Sequence, residues 1–351
     1  MPKPAPMADT GDTVLVTGGS GAIARWCIVE LLRRGYSVRA SVRDLAREPE
    51  VRRSIGTQVD SGDRLSFTVA DLLSDDGWPA AVAGARYVLH VASPFPAGVP
   101  KHEDDLIVPA REGTLRVLRA AAAAGVERVV QTSSAAAIGY SDAPPGGIYS
   151  ENEWSDPTSP ETPAYPRSKT LAERAACDFM KTGAGAMTLA VVNPVAVIGP
   201  VLGADPSFSF QAVSRLLTGD MPAIPRLGFC FVDVRDIADL HLLAMTTPAA
   251  AGQRFLGTKA FAWLSDIAKI LREKLGPDAK KVPTRQAPDA LVRALAMFDP
   301  SLRGITADLG DRTEFTSAKA QSELGWKPRP LEDSVVDCAR SLLANGLLKT
   351  A

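Results

Sequence analysis

Val14-Leu15-Val16-Thr17-Gly18-Gly19-Ser20-Gly21-Ala22-Ile23-Ala24 is an apolar run that breaks into glycines and then opens a helical pattern lasting to Gly35. A short run of Val and Leu bounded by turn residues reads as a buried strand. The strand before and the helix after give these glycines a use that a lone glycine motif lacks. Gly18 suits a tight turn, Gly21 lets the backbone approach a pyrophosphate, and small Ala24 permits close packing of the helix. The helix N-terminus adds N–H donors and the positive end of its dipole. Glycines also serve ordinary strand-to-helix turns, so the stretch takes its weight from what surrounds it.

Outward from it, apolar runs recur between helical patterns: Val38 to Val42, Leu65 to Val69, Tyr87 to Val91, Val129-Val130 and Leu189 to Val192. Between them Leu106, Ala110, Thr114, Val117, Leu118 and Ala121 repeat at helical spacing and stop at Gly125. The alternation predicts an α/β fold with a doubly wound parallel sheet, whose ligand lies beyond the carboxyl ends of the strands. From about Gly199 the pattern loosens around Pro200, Pro206, Pro222 and Pro225. Helices are expected at Phe208 to Leu217, Leu264 to Leu275, Ala290 to Met297 and Leu331 to Leu343, with short strands such as Arg254-Phe255-Leu256 between them. The expected organisation is a loose tail over residues 1–12, a dinucleotide-binding domain mainly over 13–200, and a smaller mixed α+β C-terminal substrate lobe mainly over 201–351. Segments such as 229–247 are expected to return to the first domain.

The 351 residues carry 39 basic and 40 acidic side chains, which disfavours a nucleic-acid scaffold. The four cysteines, Cys27, Cys177, Cys230 and Cys338, form no Cys-x-x-Cys pair, and the three histidines form no zinc motif, so no metal is expected. The first dozen residues lack the apolar core of a secretory signal, and no apolar stretch is long enough to span a membrane. A cytoplasmic protein with reduced thiols is expected.

Two further sites carry chemistry. Dinucleotide folds that prefer NAD place an acid at the end of the second strand, and here Val42 stands there, followed by Arg43. A guanidinium at that point suits a 2′-phosphate and favours NADP(H). The alternative is that Arg43 is a solvated loop charge and Asp44 serves NAD. Tyr165-Pro166-Arg167-Ser168-Lys169 sets a phenol and an ammonium four apart on one helix face. A lysine cation beside a phenol favours the phenolate and eases proton transfer, and a hydroxyl from Ser133 or Ser134 can hold a substrate carbonyl beside it. The order of parts, cofactor turn, serines after a strand, then tyrosine and lysine, separates this from a surface pair.

With these parts in place the chain resembles the extended short-chain dehydrogenase/reductase family, within the NAD-dependent epimerase/dehydratase superfamily. It is most similar to the branch of dihydroflavonol reductases, cinnamoyl-CoA reductases and microbial aldehyde reductases. The likeness runs nearly end to end. It includes Val38 to Asp44, Ala70-Asp71-Leu72, His90 to Pro94, Thr132 to Ala135, Ser168 to Glu173, Asn193-Pro194 through Gly199-Pro200, and Phe231 to Asp236. The resemblance implies a Rossmann fold in which Ser134 orients the carbonyl oxygen, Tyr165 gives the proton, and Lys169 holds the nicotinamide ribose and lowers the tyrosine pKa. Thr17, Gly18, Ser20, Gly21, Ala22 and Ile23 would line the cofactor with Arg43. Asp71 and Leu72 would flank the adenine, Ala92 and Ser93 the cleft, and Pro194 to Val197 the carboxamide. His90 reads as a packed strand residue and Ser133 as structural.

The plant dihydroflavonol reductases carry an asparagine five positions beyond the catalytic serine, and this chain has Gly139, which sets flavonoid specificity aside. Phe95 to Lys101 and Pro200 to Arg226, with Phe208, Phe210 and Met221, read either as a substrate wall or as lobe core. The expected activity is NADPH-dependent reduction of an aldehyde or ketone to the alcohol, or its reverse, on a small-molecule substrate, by a monomer or homodimer. The competing classes are a nucleotide-sugar epimerase or dehydratase with bound NAD, and a cofactor-sensing regulator without turnover. The missing acid at Val42 argues against the first, and the presence of Tyr165 and Lys169 against the second.

Overall fold

A computed structural model of the chain describes residues 11–94, 102–203, 208–298, 305–306 and 308–348. The expected wall segment Phe95 to Lys101 lies outside the described residues, as do the first ten residues of the tail and the side chain of Phe208. The strands are β1 (Thr13–Val16), β2 (Ser37–Val42), β3 (Leu65–Val69), β4 (Ala85–His90), β5 (Arg128–Thr132) and β6 (Ile148–Tyr149). They continue with β7 (Thr188–Pro194), β8 (Ala196–Ile198), β9 (Gly228–Asp233), β10 (Arg254–Gly257), β11 (Ala260–Trp263) and β12 (Glu314–Phe315). Helices α1 (Ala22–Arg33), α2 (Glu48–Gly56), α3 (Trp78–Val82), α4 (Asp104–Ala123) and α5 (Ala164–Thr182) fall in the first half. The rest are α6 (Phe208–Thr218), α7 (Val234–Thr246), α8 (Leu264–Leu275), α9 (Asp289–Ala296), α10 (Ala318–Leu324) and α11 (Leu331–Ala344).

Seven strands form one parallel sheet in the order β10-β7-β5-β4-β1-β2-β3. Its apolar runs are continuous because both faces are covered. Leu15, Val88, Val129 and Val191 face α3, α4 and α5, while Val14, Val16, Leu89, Val130 and Val192 face α1, α2 and α7. Gly35 and Gly125, both at positive φ, stop α1 and α4 where a side chain would be strained. The strand order reverses between β1 and β4, and the loops after these strands open the crevice where dinucleotides bind in such sheets.

A second sheet, β11-β9-β8, is mixed: β9 runs antiparallel to β11 and parallel to β8. It shares a separate core with α6, α8 and α11, built on Phe210, Leu216, Phe231, Ile267, Leu271, Val335 and Ala339. Phe210 is therefore lobe core, whereas Met221 is partly buried at its edge. Two placements differ from the sequence pattern. The strand at Arg254–Gly257 is the edge of the main sheet rather than part of the lobe, since its apolar residues complete the face beside β7. The stretch 229–247 divides, with β9 in the small sheet and α7 against α1 on the main one. Among the described residues no helix is long and apolar enough to cross a membrane.

Candidate active site

The glycine turn sits at the carboxyl end of β1, and each of its glycines answers a different constraint. Gly18 has φ +65°, and a Cβ there would meet Ala92 Cα at 3.0 Å. A Cβ on Gly19 would lie 2.8 Å from Ala40 Cβ on β2, so the turn presses against the neighbouring strand. Gly21 N–H donates to Gly18 O at 2.8 Å and closes the turn. The N-terminus of α1 has no side-chain cap and no acid in its first turn. Its N–H groups therefore suit an anion such as a pyrophosphate.

Thr17 is fully buried; its hydroxyl accepts from Ala92 N–H at 2.9 Å and lies 2.9 Å from His90 Nδ1. It thus ties the glycine turn to the Ala92-Ser93 strand end. Ser20, Ala22 and Ile23 are partly exposed along the turn. Two residues that pattern reading missed hold this loop. Ser41 Oγ accepts from Gly18 N–H at 3.2 Å, and Ser41 O accepts from Gly19 N–H at 2.8 Å. Arg25, 1% exposed, donates from Nε to Ser20 O at 3.0 Å and pairs with both Glu50 oxygens at 2.8 and 2.9 Å. The sequence offers only an arginine on the first turn of an otherwise apolar helix; its burial is a fact of the tertiary structure.

Where the adenine is expected, Val42 is buried in register with Val69, and Arg43 stands exposed just past β2. The Asp44 carboxylate accepts from Ala46 N–H at 2.8 Å and caps the turn at residues 45–47. That use competes with the alternative in which Asp44 reads a ribose. Asp71 caps its own turn through Leu73 N–H at 3.0 Å, and a Cβ on Gly113 would meet Leu72 Cβ at 2.7 Å, so α4 sets the position of this loop.

Ser134, Tyr165 and Lys169 converge at the carboxyl edge of β4 and β5. Ser134 Oγ accepts from Ala136 N–H at 3.1 Å, which leaves its own proton for a hydrogen bond to Tyr165. Lys169 Nζ donates to Ser93 Oγ at 2.8 Å and lies 5.7 Å from the centre of the Tyr165 ring. The expectation that the lysine lowers the phenol pKa is not met here. Burial dominates and raises it, opposed by the Ser134 hydrogen bond, because the ammonium is turned toward Ser93. Burial lowers Lys169 to about 8, and Glu173 acts in the opposite direction. His90 is pushed down to about 3 by burial and by the Lys169 cation, so it is a neutral packed residue. Ser133 is buried and donates to Glu173 rather than to the cleft.

Pro194 ends β7, and Val195, Ala196 and Val197 beyond it remain partly exposed. Beyond Ser134, a Cβ on Gly139 would lie 2.6 Å from Phe315 Cζ. The phenyl ring, which also packs on Tyr149 at 5.5 Å between centroids, fills the space a side chain at 139 would need.

Residues 14–256 match the model of the NAD dependent epimerase/dehydratase family. A cinnamoyl-CoA reductase of Medicago truncatula is 34% identical over 304 residues, spanning 83% of this chain and 92% of the relative. A dihydroflavonol 4-reductase of Zea mays is 31% identical over 348 residues, spanning 97% and 90%. Among solved structures, the yeast methylglyoxal/isovaleraldehyde reductase Gre2 complexed with NADPH superposes with a TM-score of 0.77 at 26% identity, covering 95% of this chain and 99% of that one.

Proposed function

The chain belongs to the NAD dependent epimerase/dehydratase family, in the branch of cinnamoyl-CoA and dihydroflavonol reductases, and on that premise we propose that it reduces an aldehyde or ketone with NADPH. The observation that carries the reading is the Ser134 to Tyr165 hydrogen bond with Lys169 beside it, at the strand edge that the glycine turn also borders. A carbonyl oxygen held between the two hydroxyls accepts a hydrogen bond from Ser134 and a proton from Tyr165. The raised pKa of the phenol suits this direction, since the donor stays protonated at neutral pH. Lys169, with a pKa of about 8, is mostly cationic at pH 7, and its ammonium, held by Ser93 Oγ beside the cleft, suits the hydroxyls of a nicotinamide ribose. The nicotinamide, when bound, supplies the hydride.

The uncapped start of α1 fits the pyrophosphate, and Arg43 beside buried Val42 favours a 2′-phosphate over a free ribose. The relatives named for carbonyl and acyl-CoA reduction, and the Gre2 structure with NADPH, support the same reading. The Phe315 ring occupies the space over Gly139, five positions beyond Ser134, and an apolar ring there favours apolar carbonyl compounds over polyhydroxylated ones. The deciding experiment follows NADPH absorbance against a panel of aldehydes, ketones and β-keto esters. Net NADPH consumption matched by alcohol formed is expected. Tightly held NAD, no net consumption and epimerisation of a sugar nucleotide would overturn the proposal.

A further inference from the structure

Glu173 lies one turn beyond Lys169 on α5 and is completely buried. Its Oε2 accepts from the Ser133 hydroxyl at 2.5 Å and from Asn193 Nδ2 at 2.8 Å, and its Oε1 accepts from Arg254 Nε at 2.5 Å. Asn193 Nδ2 also donates to Ser134 O at 3.2 Å. Arg254 is held in turn: its NH1 donates to Glu151 O at 2.8 Å and to Glu153 O at 3.0 Å, and its guanidinium lies 3.7 Å from the centre of the Trp154 ring. One carboxylate therefore joins α5, the end of β5, the end of β7 and β10.

A leucine would fill such a site with less desolvation cost, and buried ion pairs often add nothing to stability. What three donors from three directions add, and an apolar side chain lacks, is a defined orientation of the elements that meet there. Those elements carry the site: Tyr165 and Lys169 precede Glu173 on its helix, Ser134 follows Ser133, and Pro194 follows Asn193. Electrostatics links the same group to Lys169. The ammonium faces His90 on β4, Ser93 beyond it, and Tyr165 and Glu173 on its own helix; of these the Glu173 carboxylate alone supports its charge, and Arg254 is Glu173's other charged neighbour.

We propose that Glu173 is a positioning residue for proton delivery, locking the helix that bears Tyr165 and Lys169 to the loop that bears Ser134 and to the Asn193-Pro194 end of β7. The inference rests on the reading of Ser134, Tyr165 and Lys169 as the proton-delivering group. Two variants test it: Glu173→Gln, and the double variant Glu173→Gln/Arg254→Gln, which leaves no lone buried cation and so guards against misfolding. The measurements are steady-state kinetics and competitive acetic anhydride labelling of Lys169 across pH, read by peptide mass spectrometry. The expected result is a fall in kcat of at least about tenfold with the KM for NADPH changed by less than about threefold, the signature of a misplaced reacting group rather than lost binding. The labelling midpoint of Lys169 is expected to drop below its wild-type value. A folded double variant with wild-type kcat and an unshifted Lys169 midpoint overturns the proposal. Should the wild-type protein reduce no carbonyl at all, the reductase reading fails, while the labelling midpoint still decides whether Glu173 governs Lys169.

Discussion

Tyr165 and Arg43 occupy opposite electrostatic settings, and each predicts a measurable consequence. The phenol is held by Ser134 and kept protonated by burial, so it acts as an acid and not as a standing phenolate. Tyr165→Phe keeps the ring and the Lys169 contact to Ser93; kcat should fall by about a hundredfold or more, while NADPH binding measured by fluorescence is retained. Ser134→Ala should slow the same step more than Ser133→Ala, because the Ser133 hydroxyl points at Glu173 and only Ser134 reaches the phenol. The reverse ranking in kcat would assign the carbonyl to the wrong hydroxyl. Arg43 is exposed at the strand end, where a charge-assisted bond to a phosphate is worth about 1.5–3 kcal/mol. Arg43→Ala should therefore weaken kcat/KM for NADPH by about tenfold or more and leave NADH nearly unchanged, compared at one ionic strength because salt screens the pairing. An equal loss for both cofactors would return NAD to the lead.

At the scale of the element, the turn between β1 and α1 separates residues that shape the loop from those that leave room above it. Gly18 needs positive φ and sits against Ala92, and Gly19 sits against Ala40. An alanine at either position must strain or displace packed backbone and side chain, costing about 1 kcal/mol or more of stability as well as affinity. A Cβ on Gly21 meets nothing closer than Gly18 O at 3.3 Å. Gly21→Ala is thus expected to keep the thermal midpoint of the cofactor-free protein within a few degrees while NADPH affinity drops. Thermal unfolding and fluorescence titration of the three variants separate the two classes. Were Gly21→Ala to unfold as early as Gly18→Ala, the turn would be a folding device and not a cradle. Arg25 belongs to this scale too, since its links to Ser20, Glu50 and Ser54 join the turn to α2.

Across the whole molecule, two buried histidines set an acid limit. His241 Nδ1–H donates to Ile237 O at 2.7 Å, so Nε2 is free to accept from the Thr132 hydroxyl at 2.7 Å. Burial lowers His241 to about 4 and His90 to about 3, against an ordinary value of 6.5. Both are neutral in the folded chain, while the unfolded chain takes up a proton at each as pH falls below about 6.5. The histidine contribution to stability is therefore full above that pH and declines below it, by about 1 kcal/mol per histidine between pH 7 and 5.5. Glu151 and Asp236, raised by burial, act in the opposite direction nearer the carboxylate range. Urea midpoints across that window should fall, and His241→Gln should remove about half of the slope. An unchanged slope in that variant would place the titration elsewhere.

The sequence alone determined the strand, glycine turn and helix at Val14 to Gly35, the strand–helix alternation of a doubly wound sheet, and the placing of Tyr165 and Lys169 on one helix face. Each of these is local: hydrophobic period, turn chemistry and four-residue helical spacing act within a few residues of the chain. The choice of Ser134 over Ser133 from the residues alone was not of this kind, because it depends on which hydroxyl Glu173 captures from another helix. Nor was the placement of Arg254–Gly257, whose short apolar run suits either sheet until β7 leaves an edge to be covered. Arg25 pairs with Glu50, Ser41 with Gly18, and Glu173 with Ser133 and Arg254, partners 23 to 81 positions away, and the ring of Phe315 fills the space over Gly139 from 176 positions along the chain. A charged side chain reads as solvated until tertiary packing buries it, and only that burial turns Glu173 and Arg25 from surface charges into the fixed points of the site.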